Sequence, residues 1–176
     1  MIYEVSGDIL LTRAQVLAHG VAANDPMDQG LALQLRERYP AMHKDLHHWC
    51  SQKHPKPGDA WMWGGPDGVR IVNLLTQNGG YGHGARPEKA TIKNVREALR
   101  TLASMIASEG FTSVALPRIA TGVGGLSWTA VWPIVQERLG GVGIPIFVYH
   151  EYRAGQQAEE PGLGRARRSP TDLAAG

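Results

Sequence analysis

The residues whose spacing most suggests chemistry are three glycines in four positions, Gly122, Gly124 and Gly125. They follow a short apolar run, residues 114–116, and precede a predicted helix capped by Ser127. A loop of this kind brings the backbone close to a ligand without obstruction from Cβ atoms. The N–H groups and the positive dipole end of the following helix favour an anion. The pattern therefore predicts either a phosphate-binding loop or a purely structural turn.

The spacing excludes two better-known phosphate-binding motifs. A dinucleotide fingerprint requires a third glycine at the position of Ser127. A Walker loop requires Gly-Lys followed by Ser or Thr, and no lysine follows Lys93 in the sequence. The glycine loop must therefore be interpreted together with the elements that position it.

Apolar spacing along the chain predicts alternating strands and helices. Strands are predicted at residues 2–5, 16–22, 60–63, 69–75, 113–116 and 144–149. Helices are predicted at residues 31–38, 41–51, 92–106 and after Ser127. The third and fourth strands form a predicted hairpin. This order indicates an α/β fold with a mixed, mainly parallel sheet, covered by helices on both faces.

Ligands bind such sheets at the carboxyl ends of the strands. Both the glycine loop and the loop at residues 23–30 begin at that end, so we expect one site to use both. Residues 153–176 show no hydrophobic period and are rich in Gly, Pro, Ala, Arg and Glu. We therefore expect a domain at residues 1–152 and a disordered C-terminal tail at residues 153–176.

Length and composition are those of one α/β domain. The 176 residues are 43% hydrophobic with a formal net charge of +2, which predicts a single core and no strongly basic nucleic-acid surface. The single cysteine, Cys50, excludes an intramolecular disulfide. No apolar run is long enough for a signal peptide or a membrane span. We expect a cytoplasmic monomer that contacts no membrane and binds no metal or cofactor.

Three short segments occur in this order along the chain: Gly7-Asp8-Ile9-Leu10, residues 17–33 and residues 116–122. Together they resemble the macrodomain family, and the likeness extends over residues 2–150. The branch that the chain most resembles includes the terminal ADP-ribose protein glycohydrolase and the bacterial DNA ADP-ribosyl glycohydrolase antitoxins. The resemblance implies a three-layer α/β/α sandwich that binds ADP-ribose.

The resemblance also implies ligand contacts. Asp8 falls where macrodomains hold the carboxylate that accepts a hydrogen bond from the adenine amino group, although an isolated aspartate there would be a turn or cap residue. Tyr149 or Tyr152 either stacks on adenine or packs at the sheet edge. The implied ligand-binding residues are Asp8, Ile9, Ala22, Asn24, Gln29, Gly30, Thr76, Ile119, Ala120, Thr121, Gly122, Val123, Gly124, Gly125 and Tyr149.

Two catalytic groups of the terminal glycohydrolase are missing. Gln77 stands in place of a lysine nucleophile, and Gly124 in place of a loop aspartate. Neither replacement can supply covalent or acid–base chemistry. The candidates for orienting a water are therefore Gln77, Asp25, Asp28 and His83. His83 lies between glycines in a segment that we expect to be a mobile lid.

The function implied is removal of mono-ADP-ribose from modified protein carboxylates, with ADP-ribosylated DNA as a second substrate. A water held between the substrate phosphate and the loop backbone would attack the anomeric carbon. The alternatives are a reader that binds ADP-ribose without turnover and a phosphatase acting on ADP-ribose 1″-phosphate. The expected partners are ADP-ribose, mono-ADP-ribosylated proteins and ADP-ribosylated nucleic acid.

Overall fold

The computed structural model describes residues 1–163. Within this range, strands and helices alternate as the sequence predicts, with small differences at their ends. The strands are β1 (Ile2–Gly7), β2 (Val16–Ala22), β3 (Ala60–Gly64), β4 (Arg70–Gln77), β5 (Val114–Pro117) and β6 (Ile146–Tyr152). The helices are α1 (Gly30–Arg38), α2 (Pro40–Lys53), α3 (Ile92–Glu109) and α4 (Trp128–Leu139).

The strands form one sheet in the order β1-β6-β5-β2-β4-β3. Neighbouring strands are parallel except β3, which pairs antiparallel with β4. The predicted mixed, mainly parallel sheet and the predicted hairpin are therefore confirmed. Because β2, β4, β5 and β6 run in the same direction, their carboxyl ends meet at one edge of the sheet.

Helices cover both faces of this sheet. One face packs against α3 and α4, whose buried side chains include Leu99 and Val135. The other face packs against α1 and α2, through Leu35 and Leu46. Each such side chain contributes about 1.5–3 kcal/mol of hydrophobic stabilisation when it is fully buried. The predicted three-layer α/β/α architecture is confirmed.

Local sequence signals fix the ends of the helices beside the site. Thr91 caps α3 by accepting a hydrogen bond from the Asn94 N–H, and Gly110 ends that helix with a φ of 66°. Ser127 is the N-cap residue of α4, as predicted, although its side chain makes no capping hydrogen bond. In residues 1–163, no helix has both the length and the apolar character that crossing a membrane requires.

The predicted disorder from residue 153 is wrong for residues 153–163. These residues form an ordered segment, here called the C-terminal strap, in which Ala158 and Glu160 are only 5% and 4% exposed. Ala158 lies so close to Gly7 that a Cβ atom at Gly7 would be 2.8 Å from the Ala158 nitrogen. Residues 164–176, the rest of the predicted tail, lie outside the described residues.

Glu160 anchors the strap through polar contacts. Its carboxylate accepts hydrogen bonds from the Thr12 hydroxyl, from the Arg13 N–H at 2.8 Å and from the Tyr149 hydroxyl at 3.0 Å. A segment held in this way needs no apolar period, because hydrogen bonds to a charged group replace apolar packing. This is why the sequence pattern resembled a disordered tail.

Candidate functional site

A cleft of about 570 Å³ lies at the carboxyl ends of the central strands. Its walls are the loop at residues 25–30 with the start of α1, residues 84–87, the glycine loop at residues 117–124, and the end of β6. This volume is typical of sites for small molecules and cofactors. The loops that follow β2 and β5 line the same cleft, as the sequence analysis expected.

The cleft brings together many of the predicted site residues. Those that line it are Asp25, Asp28, Gln29, Gly30, Gln77, Ile119, Ala120, Thr121, Gly122, Val123, Gly124 and Tyr149. Those that do not line it are Asp8, Ile9, Ala22, Asn24, Thr76, His83 and Gly125.

The glycine loop uses its carbonyl groups for internal hydrogen bonds. Gly125 donates its N–H to the Gly122 oxygen at 3.1 Å, and Leu126 donates to the Ala120 oxygen at 3.0 Å. Among the described residues, by contrast, no protein group accepts a hydrogen bond from the N–H groups of residues 121–124. Consecutive free N–H groups that border a cleft form an anion-binding site. The local geometry therefore favours the phosphate-binding interpretation over the structural turn.

Close packing holds this loop in shape. A Cβ atom at Gly124 would lie 2.6 Å from the Ala120 oxygen, so no side chain fits there without moving the backbone. Ala120 has a φ of 62°, a left-handed conformation that costs a residue with a Cβ about 1 kcal/mol. The Gly124 oxygen accepts a 3.0 Å hydrogen bond from Ala90, just before α3. Such strain is maintained where surrounding contacts determine the backbone.

Asp25 shapes the loop that follows β2. One carboxylate oxygen accepts from the Ala22 N–H and the other from the Met27 N–H, both at 2.8 Å. His47 on α2 donates from Nε2 to the Asp25 carbonyl at 2.7 Å. Asp25 was predicted as a residue that could orient a water. Both of its carboxylate oxygens instead accept hydrogen bonds from the backbone. Asp28, by contrast, is exposed and lines the cleft.

Gln77 ends β4 and holds the opposite wall. Its amide Nε2 donates to the Glu88 carbonyl at 2.7 Å. The adjacent Asn78 completes a clamp, because its side chain donates to the Glu88 carboxylate at 2.8 Å and its carbonyl accepts from the Glu88 N–H at 3.0 Å. These contacts close the base of the loop at residues 78–90. The Gln77 Oε1 atom is the part of this side chain left to orient a water.

His83 lies outside the cleft on the exposed part of the 78–90 loop. The start of that loop is in contact with the loop after β2: Gly79 packs against Ala23, and the Asn24 side chain donates to the Gly80 carbonyl at 3.0 Å. The glycines around His83 predicted a mobile lid that would carry its imidazole over the ligand. The structure instead places residues 84–87, not His83, in the wall.

Asp8 occupies a capping position. Its carboxylate accepts from the Leu10 N–H at 3.0 Å and from the Gly155 N–H at 2.9 Å, and its own N–H donates to the Gln156 carbonyl at 2.7 Å. It is the N-cap of a one-turn 3-10 helix, Ile9–Leu11. The structure therefore shows the cap role that the sequence analysis considered for an isolated aspartate, together with contacts to the strap that no local signal indicated.

The two tyrosines at the end of β6 differ in accessibility. Tyr149 is buried, and burial together with the Glu160 carboxylate raises the pKa of its hydroxyl. Tyr152 is 57% exposed and lines the cleft. Among the predicted ligand residues that do not line the cleft, Ile9, Ala22 and Thr76 are buried. Tyr152 is thus the more accessible candidate for stacking on a base.

His19, which was not among the residues predicted from the sequence, lines the cleft. It is 2% exposed, and its Nε2 lies 2.7 Å from the Asn73 Oδ1 on the neighbouring strand. Burial lowers the pKa of His19, which favours the neutral ring. The signal was present, because His19 and Asn73 are polar residues within two otherwise apolar strands. Only the strand register shows that they are partners.

Two exposed arginines also line the cleft and were missed. Arg86 comes from the 78–90 loop and Arg118 from the start of the glycine loop. The Arg118 guanidinium lies 5.6 Å from the centre of the Trp128 ring, a cation–π distance. These side chains add positive charge beside the free N–H groups. Isolated arginines in loops carry no sequence signal for a site.

Comparison with known proteins identifies the class that this fold and cleft define. The model of the Macro domain family matches residues 19–135, and the chain belongs to the macrodomain family. The chain is 31% identical over 134 residues to the DNA ADP-ribosyl glycohydrolase of Mycobacterium tuberculosis, a match that covers 74% of this chain and 36% of that protein. It is 25% identical over 146 residues to the human ADP-ribose glycohydrolase OARD1, covering 82% of this chain and 88% of that protein.

A solved structure supports the same relationship. The macrodomain of Thermus aquaticus DarG is 27% identical, with a TM-score of 0.74, and the match covers 85% of this chain and 98% of that structure. The macrodomain fold and the branch that the sequence resembles are therefore confirmed. The chain spans about two fifths of the length of the DNA ADP-ribosyl glycohydrolases that it matches.

Proposed function

We propose that this chain binds ADP-ribose in the cleft and hydrolyses mono-ADP-ribose from modified protein carboxylates. The observation that carries the proposal is the set of free N–H groups at residues 121–124, which line a cleft of about 570 Å³. Such a set matches a diphosphate in charge and in hydrogen-bonding capacity. The names of the glycohydrolase relatives support the same ligand and reaction.

The reaction must proceed without a lysine nucleophile, because Gln77 stands at that position. We infer that a water attacks the anomeric carbon, held by the substrate phosphate and the glycine loop and oriented by Asp28 and the Gln77 Oε1. Both side chains line the cleft. Orientation and stabilisation of developing charge are sufficient for an ester of a sugar and a carboxylate, which has a good leaving group.

A reader function is the second candidate, and a specific observation favours it. The Asp25 carboxylate and the Gln77 amide nitrogen are both engaged in holding loops, which leaves few groups for chemistry. A reader would bind ADP-ribose and release none from a modified protein. A phosphatase would instead release phosphate from ADP-ribose 1″-phosphate.

ADP-ribosylated DNA is proposed as a second substrate. Arg86 and Arg118 are exposed in the cleft wall, where they could contact the phosphates that flank a modified base. The names of the bacterial relatives support this substrate. We also propose a monomeric state, a cytoplasmic location and a part in the response to DNA damage.

Calorimetry with ADP-ribose tests the binding site. Gly124→Ala forces a Cβ atom to within 2.6 Å of the Ala120 oxygen and should displace the N–H groups, weakening binding at least tenfold. The matched control is Gly141→Ala, where a Cβ atom meets nothing within 4 Å. Absence of ADP-ribose binding by the unmodified chain would refute the proposal, as would unchanged affinity in a folded Gly124→Ala variant.

Release of ADP-ribose from glutamate-modified protein and from modified DNA then tests catalysis. Release from either substrate supports a hydrolase. Binding without release from both substrates would establish the reader. Release of phosphate alone from ADP-ribose 1″-phosphate would establish the phosphatase.

A further inference from the structure

A buried polar pair, His19 and Asn73, lies beneath the cleft and has no part in the reaction proposed above. The two residues are opposite each other on the neighbouring strands β2 and β4, and they are 2% and 0% exposed. The residues on either side of them in each strand are apolar or glycine. Polar groups in such surroundings cost stability unless they have hydrogen-bond partners. The partners of this pair therefore indicate its role.

A third strand fixes the orientation of the Asn73 side chain. Its Nδ2 donates to the Trp61 carbonyl on β3 at 3.3 Å, and Trp61 is directly opposite Asn73 in the sheet register. Rotating the amide by half a turn would place its oxygen against the Trp61 oxygen, with no proton between two acceptors. The Oδ1 atom of Asn73 therefore faces His19.

This orientation also determines which nitrogen of His19 carries the proton. The Nε2 atom lies 2.7 Å from the Asn73 Oδ1. Because an amide oxygen can only accept, Nε2 must be the donor. Burial lowers the pKa of His19, which favours the neutral ring. In that ring the other nitrogen, Nδ1, has a lone pair and no proton, so it is a hydrogen-bond acceptor.

The Nδ1 atom is open to the cleft. Within residues 1–163 it has no hydrogen-bond partner, and it is not sealed from solvent as the Thr76 Oγ1 atom is. His19 lines the cleft, so its small exposed part faces that space. The N–H groups of residues 121–124 and the guanidinium groups in the cleft wall are donors, which suit phosphate oxygens. An acceptor such as Nδ1 suits a hydroxyl group instead.

The order of the strands places His19 on the sugar side of the glycine loop. Tyr152, the candidate for stacking on the base, ends β6, and the glycine loop follows β5. The next strands across the sheet are β2 and then β4. An extended ADP-ribose with its base at β6 and its diphosphate at the glycine loop has its second sugar above β2 and β4. His19 is on β2, and Gln77 ends β4.

We propose that the Nδ1 atom of His19 accepts a hydrogen bond from a hydroxyl group of the distal ribose, the sugar that carries the scissile bond. This inference rests on the proposed function, because it requires ADP-ribose in the cleft. It makes His19 a specificity-determining residue that favours ADP-ribose over ADP, which has no second sugar. A site built to accept a hydroxyl proton binds an analogue without that hydroxyl more weakly.

Two substitutions separate this role from a structural one. The Gln amide reaches the position of Nε2 and can donate to Asn73, but Gln has no acceptor at the position of Nδ1. The Asn amide places its oxygen at the position of Nδ1 and does not reach Asn73. His19→Gln should therefore weaken ADP-ribose binding about tenfold, the effect of one hydrogen bond, and change ADP affinity less than about threefold. His19→Asn should lower stability more than His19→Gln while retaining more of the ADP-ribose affinity.

The measurements are calorimetry with ADP-ribose and ADP, chemical denaturation, and ¹⁵N NMR of the histidine-labelled chain. His48→Gln, at an exposed position on α2, is the control and should change neither affinity. The Nδ1 signal of His19 should be that of an unprotonated nitrogen and should move when ADP-ribose is added but not when ADP is added.

Four results would each overturn the inference alone. They are a proton on Nδ1, unchanged ADP-ribose affinity in His19→Gln, an equal loss of ADP and ADP-ribose affinity in that variant, and a larger loss of ADP-ribose affinity in His19→Asn than in His19→Gln. The comparison of ADP with ADP-ribose remains decisive if His19→Asn does not fold. Absence of ADP-ribose binding by the unmodified chain would refute the proposed function and this inference together.

Discussion

Gln77 and Glu88 are joined by a 2.7 Å hydrogen bond from the side-chain amide of the first to the backbone carbonyl of the second. The bond links the end of β4 to the far end of the 78–90 loop, whose residues 84–87 form one wall of the cleft. Gln77 thus holds one wall of the cleft in position.

The Gln77→Glu variant should distinguish the role of the donor atom Nε2 from that of the acceptor atom Oε1. Glutamate keeps an acceptor at Oε1 but cannot donate to the Glu88 carbonyl, so the 78–90 loop should loosen. The free energy of unfolding should fall by about 1 kcal/mol, because the part-buried Glu88 carbonyl loses its donor and faces a negatively charged carboxylate oxygen. Chemical denaturation and proteolysis at residues 80–87 measure this. The control is Gln136→Glu on an exposed position of α4; equal stability of the two variants would contradict the assigned role.

Gly79 and Gly82 provide a matched pair in the same loop. A Cβ atom at Gly79 would overlap the Ala23 carbonyl, whereas a Cβ atom at Gly82 would have its nearest neighbour at 3.9 Å. Gly79→Ala should cost about 1–3 kcal/mol, since the loop must move. It should also weaken ADP-ribose binding in calorimetry. Gly82→Ala should stay within about 0.5 kcal/mol. If both variants match the unmodified chain, the contact with the loop after β2 is unimportant.

Asp28 should affect turnover more than binding. Because its carboxylate lines the cleft and is exposed, Asp28→Asn should lower the rate of ADP-ribose release at least tenfold while ADP-ribose affinity changes less than threefold. Rates at saturating substrate, together with calorimetry, separate the two effects. Asp28→Asn with full activity would remove Asp28 from the mechanism, leaving Gln77 as the only side chain in it.

Glu160 should determine whether the C-terminal strap stays bound. Glu160→Gln weakens three hydrogen bonds to a buried carboxylate and should cost about 1–3 kcal/mol. Glu159→Gln alters the exposed neighbour and should cost less than about 0.5 kcal/mol. Thermal denaturation and hydrogen exchange of residues 153–163 provide the readouts. Identical exchange in both variants would show that Glu160 does not anchor the strap.

Acid should destabilise the fold through two histidines. Burial lowers the pKa of both His19 and His43. At His43, the nearby His47 and Arg36 lower the pKa further. The unfolded chain then binds more protons than the folded one once the pH falls below the ordinary histidine pKa of about 6.5. Stability is therefore full above that pH and decreases below it, by up to about 1.4 kcal/mol per pH unit for the fully buried His19 and by less for the more exposed His43.

The measurement is the free energy of unfolding between pH 7 and pH 5. His19→Gln removes the more buried of the two titrating groups and should remove the larger part of the slope. His48→Gln, at an exposed position on α2, should leave the slope unchanged. A steep slope that persists in His19→Gln would place the acid sensitivity elsewhere.

The sequence alone determined much of the fold because its signals are local. The apolar spacing of α3, the cap at Thr91 and the left-handed Gly110 act within a few residues of one another. The same holds for the glycine loop. A side chain at position 124 would clash with the Ala120 oxygen, which is only four positions away in sequence. Such features can be predicted because their physical cause is adjacent in the chain.

Only the tertiary structure decided how the distant parts meet. Asp8 binds Gly155, and Glu160 binds Thr12, across more than 140 residues, so a segment that looked like a tail became part of the domain. The pairing of His19 with Asn73 required the register of two strands. Polar contacts of this kind depend on exact positions in space and follow no period along the chain. The sequence therefore predicted the anion-binding loop, whereas the fold determined which side chains near it are free to act.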